Sequence, residues 1–129
     1  MDHLNGIHPS WRPFFASQAE RLDAVFTFLE NESYLPPRRL IFRFAGTDLS
    51  QVRAVILGQD PYPQPGAATG RSFEVAGLSS WQGAIRQSSL RNIVRAIYRA
   101  ETGELLPWRE VQARIADGRF RILPPDRLW

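Results

Sequence analysis

Gly58-Gln59-Asp60-Pro61-Tyr62 is the string in this chain whose residue types could do chemistry. Asp60 is a carboxylate on a proline-stiffened loop, beside an aromatic ring and just after a short apolar run. A carboxylate held in place can act as a general base toward water or stabilise a developing cation. The same residue in a turn is more ordinarily an Asx-turn or a cap, and the string alone leaves both open. Other chemistries have less to work with. There are 2 His and 0 Cys, which excludes a thiol nucleophile, a disulfide framework and a Cys-based zinc site and makes any metal centre an unfavoured reading. Gly66-Ala67-Ala68-Thr69-Gly70 lacks the Lys and the following helix of a phosphate loop.

The elements that must position Asp60 follow from pattern. Residues 52–57 (VRAVIL) form a short apolar run rich in Val and Ile, closed by Gly58, which predicts a buried parallel strand. Residues 58–70 hold three Pro and three Gly and predict a loop. A loop at the carboxyl end of a parallel strand is where open α/β sheets place ligands. Upstream, Phe15, Ala19, Leu22, Phe26 and Leu29 recur at helical spacing, with Ser10 as the expected cap and Tyr34 to Pro37 as the break. Downstream, Leu90, Ile93, Val94, Ile97 and Tyr98 predict a second helix, with Ser88 or Ser89 as the expected cap and Gly103 as its end. Arg91, Arg95 and Arg99 lie along another face of it. A helical turn is expected near residues 111–116 and an extended stretch near 120–123, with Asp126 as a further cap. One good strand and one doubtful strand are too few for an α/β domain, so the chain reads as incomplete.

Length and charge bound the rest. The chain has 129 residues, enough for one domain, and 43% are hydrophobic. No run of 18 apolar residues and no secretion-type N-terminus occurs. The formal net charge is +3, and all 16 basic residues are Arg. Arg presents a planar fork that grips phosphate oxygens in pairs, although a GC-rich coding bias is the more ordinary cause of an absence of Lys. Residues 75–100 carry Arg86, Arg91, Arg95 and Arg99 and no acid.

The GQDPY string resembles the water-activating loop of the uracil-DNA glycosylases. Pro65-Gly66, Gly70 and Phe73 fit the spacing of that family's uracil pocket, and Ser89-Leu90 with Asn92 fits its Ser-Leu-x-Asn segment. Pro36-Pro37, Phe42 to Phe44 and the VRAVIL run resemble its approach to the loop. The resemblance implies a three-layer α/β/α fold with a central, mainly parallel sheet, of which residues 1–129 would be the N-terminal part of a single domain. It implies hydrolysis of the N-glycosidic bond between uracil and deoxyribose in base excision repair. Asp60 would orient or activate the water, Gln59 contact the base, Tyr62 exclude the thymine methyl, Phe73 stack on uracil and Ser89 bind a DNA phosphate. The implied partner is uracil-containing DNA. No cofactor, metal or membrane is implied, and a monomer at full length, a cytoplasmic location and a bacterial source are expected.

The chain departs from that pattern in places. Pro63 stands where His is usual, Arg71 where Leu is usual, Glu74 where Ser is usual, and Ser88 replaces a proline. The family's later Asn strand and its later His-Pro-Ser-Pro loop are absent. His8-Pro9-Ser10-Trp11 imitates that loop but reads as a helix start, and His3 reads as a tail residue. The chain by itself is therefore expected to be inactive or nearly so. The alternative readings are a catalytically dead DNA-binding module and a protein-interaction module on the same scaffold.

Overall fold

The computed structural model describes residues 4–129, so His3 lies outside the described residues. The chain divides into two compact units, Met1–Ser72 and Phe73–Trp129.

In the first unit a 3₁₀ turn, Pro9–Trp11, leads into α1 (Arg12–Ser17) and α2 (Ala19–Phe28). The apolar stripe predicted one helix, but the backbone breaks at Gln18, with φ −108° and ψ 8°. There the Ser17 hydroxyl donates to the Phe14 carbonyl at 2.7 Å, a local bond of the kind that bends helices. Capping also differs from expectation. His8, not Ser10, caps the first turn, its Nδ1 accepting the Ser10 N–H. Ser10 Oγ instead accepts the Leu49 N–H at 2.9 Å and ties the helix start to a later turn. The core of this unit is aromatic. Phe42 meets Phe15 and Phe26 edge-on, with ring centroids 4.8 and 6.1 Å away, and Phe15 and Phe26 are buried. The Arg38 guanidinium lies 4.4 Å from the Phe26 ring centre. Short 3₁₀ turns at Arg38–Leu40, Arg43–Gly46 and Leu49–Gln51 then carry the chain to residue 52.

From residue 52 the structure corrects the sequence. The three-layer α/β/α fold with a central parallel sheet is not formed, because the elements among the described residues are all helical and no sheet is present. Residues 52–58 have no helical or ladder structure and are mostly exposed. Val55 is 74% and Leu57 87% solvent-accessible. Composition favours a strand here, but a strand exists only when a neighbour takes its N–H and C=O groups. Among the described residues no hydrogen bond involves residues 53–57.

The second unit holds the longest helix, α3 (Ser88–Thr102), and α4 (Trp108–Ala116). Leu90, Val94 and Tyr98 recur every four residues on one face of α3 and are buried with Val111 of α4. Trp81, Ile85 and Phe120 complete this core. Gly103 ends α3 in the left-handed conformation expected of a helix stop, φ 78°, its N–H bonded to the Arg99 carbonyl. The irregular stretch before α3 is held by side chains. Gln112 Nε2 donates to the carbonyls of Trp81 and Gly83 at 2.6 and 2.7 Å, and Trp81 Nε1 donates to the Leu123 carbonyl at 2.8 Å. Asp126 falls inside a 3₁₀ turn, Pro125–Arg127, rather than capping a helix. No helix among the described residues is long and apolar enough to cross a membrane.

Leu90 is 1% exposed, so Leu90→Ala should cost about 2–5 kcal/mol of stability through lost transfer energy and the cavity left behind. Urea unfolding followed by circular dichroism measures it; a loss under about 1 kcal/mol would contradict this core.

Candidate active site

The sequence-derived site residues divide between the two units. Gln59, Asp60 and Tyr62 lie on one loop of the first unit; Phe73 and Ser89 belong to the second.

The loop of the first unit is held at both ends. At its start the Gly58 N–H donates to Ser72 Oγ at 3.1 Å, and a Cβ at Gly58 would lie 3.1 Å from that oxygen. At its end Gly70 sits at φ +84° against the helical turn before it, where a Cβ would lie 1.7 Å from the Leu40 carbonyl oxygen. Only a residue without Cβ fits there. Arg43 Nη1 reaches the Thr69 carbonyl at 3.5 Å beside it. Between these anchors Gln59 and Asp60 are exposed at a bend, so the Asp60 carboxylate is open to water and to an incoming ligand. Tyr62 turns partly inward. Its hydroxyl is shielded from solvent and finds no hydrogen-bond partner among the described residues, and burial pushes its pKa above the ordinary tyrosine value.

In the second unit Phe73 is the one non-glycine residue with positive φ among the described residues, at 65°. Left-handed backbone at a bulky side chain is strained, and such strain gathers at functional sites. The Phe73 ring lies 6.5 Å from that of Trp129, tilted by 35°. Glu74 next to it is only 4% exposed, and both it and Arg71 engage partners. Ser89 is exposed in the first turn of α3, whose N-terminus has no side-chain cap. Its hydroxyl and the nearby free N–H groups form a surface suited to an anion.

A second cluster imitates a catalytic triad. His8 Nδ1 lies 2.9 Å from Ser10 Oγ and 3.7 Å from Asp48 Oδ1. Both groups address the same ring nitrogen, whereas a relay needs the hydroxyl on one nitrogen and the carboxylate on the other. Asp48 is held below the usual carboxylate range by the Ser50 N–H it accepts, a capping bond. The cluster is a clasp, in keeping with its reading as a helix start. Among the described residues no group of three or more His, Cys, Asp or Glu is placed to hold a metal.

Comparison with known proteins decides the family. The chain is 38% identical over 120 residues to a uracil-DNA glycosylase of Ruegeria sp. strain TM1040, covering 83% of this chain and 48% of that one. It is 35% identical over 115 residues to one from Parafrankia sp. strain EAN1pec, 79% of this chain and 48% of the relative. For Mycobacteroides abscessus the figures are 32% over 136 residues, 92% and 55%. The chain belongs to the uracil-DNA glycosylase family. It spans about half the length of the curated relatives it matches. No family model and no solved structure matches it.

Within a uracil-DNA glycosylase loop, what sequence reasoning missed is the support. Ser72, the Leu40 carbonyl and Arg43 fix the two ends of the loop, and no local pattern announces them. Their partners lie 14 to 30 positions away along the chain. Gly70 carries a signal of another kind, because a glycine there fits the family spacing, and a Cβ at that position would meet the Leu40 carbonyl oxygen.

Gly70→Ala should destabilise the chain by about 2 kcal/mol or more. Gly66→Ala, at φ +76° with nothing within 4 Å of its Cβ, should lose only the ~1–2 kcal/mol of left-handed strain. Thermal melts of the two variants measure the difference; equal melting temperatures would remove the Leu40 contact from this account. Tyr62→Phe removes a shielded oxygen without a described partner, so it should not lower the melting temperature. A fall of several degrees would show that the hydroxyl is bonded after all.

Proposed function

We propose that this chain contributes the water-activating and base-contacting half of a DNA-repair glycosylase that hydrolyses the bond between uracil and deoxyribose. The single observation that carries the reading is the Gly58-to-Tyr62 string on an anchored loop with its Asp60 carboxylate open to solvent. Membership of the family supports it.

In the reaction the C–N bond to uracil breaks and its electron pair leaves with the base. A new C–O bond forms from water to the sugar carbon. Asp60 orients the water, accepts its proton and offsets the positive charge that develops on the sugar. Gln59 contacts the base edge, and Tyr62 occupies the space that a thymine methyl would need. Phe73 stacks on uracil once the nucleotide has been extruded from the duplex. Ser89 binds a backbone phosphate at the start of α3. Water is the only co-reactant, so the step requires no cofactor.

The contacts that stabilise charge on the departing uracil come from segments this sequence does not contain. One such contact is typically worth about 10²–10³ in rate, so the chain alone should release uracil at a rate indistinguishable from background. A chimera in which residues 10–97 replace the matching segment of the Ruegeria relative should release uracil from a uracil-containing oligonucleotide. Asp60→Asn in that chimera should lower the rate by about 10² or more. A folded chimera that is inert, or one indifferent to Asp60→Asn, would overturn the proposal.

A further inference from the structure

The positive charge of this chain is not spread evenly. Residues 1–72 carry seven Arg against seven acidic side chains, and residues 73–129 carry nine against six. The formal net charge of +3 therefore belongs to the second unit.

Within that unit α3 concentrates it. Arg91, Arg95 and Arg99 stand four residues apart, rungs about 6 Å apart along the helix, adjoining the buried face of Leu90, Val94 and Tyr98. Residues 75–100 contain no acid to neutralise them. Among the described residues none of the three arginines is ion-paired, whereas Arg119 in the same unit is paired with Asp117. Helix stability does not explain the pattern either. A helix N-terminus favours acids; α2 and α4 place Glu20 and Glu110 in their first turns, and α3 has none. Its first basic rung, Arg91, instead adds charge to the positive end of the dipole.

The middle rung is already oriented. Arg95 Nε donates to the Leu106 carbonyl at 2.8 Å and Nη1 donates to Asn92 Oδ1 at 3.1 Å. A guanidinium has five N–H donors, so two fix its plane and others remain for a ligand. Asn92 matched a family segment in the sequence; here it acts as a positioning residue for Arg95. A row of arginines at four-residue spacing, none of them ion-paired among the described residues and the middle one locked in plane, suits a ligand with regularly repeated phosphates.

We infer that the Arg91–Arg95–Arg99 face of α3 is a phosphodiester-backbone contact surface that holds duplex DNA without reading its sequence. The inference rests on the proposed action on DNA but names a surface separate from the Asp60 loop.

The test is fluorescence anisotropy of the whole chain with a labelled, uracil-free duplex at several salt concentrations. Each lost phosphate contact should lower the slope of log K against log salt by about 0.9. Arg91→Gln/Arg99→Gln, which leaves the Arg95 bond to Leu106 in place, should lower it by about 2 and weaken binding at low salt by tenfold or more. Arg119→Gln should leave the slope unchanged. Circular dichroism checks that each variant is folded. An unchanged slope in the double variant, no salt-dependent binding by the parent chain, or binding to anionic lipid vesicles but not to DNA would each overturn the inference. Because the duplex contains no uracil, these outcomes are independent of whether the chimera above releases uracil.

Discussion

An extended backbone must place its N–H and C=O groups somewhere, and the rest of this structure follows from where residues 53–57 place theirs. No described residue accepts or donates a hydrogen bond to them. Without a partner strand the apolar side chains of Val55, Ile56 and Leu57 stay exposed. The chain then builds its cores elsewhere, from an aromatic cluster around Phe42 in one unit and from the packing of α3 and α4 in the other. The Asp60 loop consequently takes its order from the Gly58–Ser72 bond and from the approach of Gly70 to Leu40, not from a sheet.

The two units differ in charge. The first is neutral in formal charge and carries the exposed carboxylate, with Tyr62 turned partly inward beside it. The second carries the net positive charge, the strained Phe73 and the uncapped start of α3.

Local physics explains which parts were legible in the sequence. The apolar period of α3 and its Gly103 stop depend on nearest turns, and both appear where the pattern puts them. The α1–α2 break at Gln18 is accompanied by one local bond from the Ser17 hydroxyl, too small a signal against a five-residue stripe. The expected strand failed for a different reason. Its side chains favour extended backbone, and the backbone is non-helical there, but sheet formation depends on residues far away or on none at all. The GQDPY loop was legible because its residue types are unusual together. Its supports at Ser72, Leu40 and Arg43 were not, because a carbonyl or a serine leaves no mark in a sequence pattern. Arg91, Arg95 and Arg99 were visible as a basic stretch, yet the bonds that lock Arg95 emerged only in three dimensions.

The central claim is that this family loop is carried without a sheet around it among the described residues. Amide hydrogen exchange on the 129-residue chain, read residue by residue, tests it most directly. The account predicts that the amides of residues 53–57 exchange at nearly the rate of an unstructured peptide, while those of Val94, Tyr98 and Val111 are strongly protected. Protection at residues 53–57 comparable to that of α3 would mean that the segment is hydrogen-bonded after all, and would contradict the account.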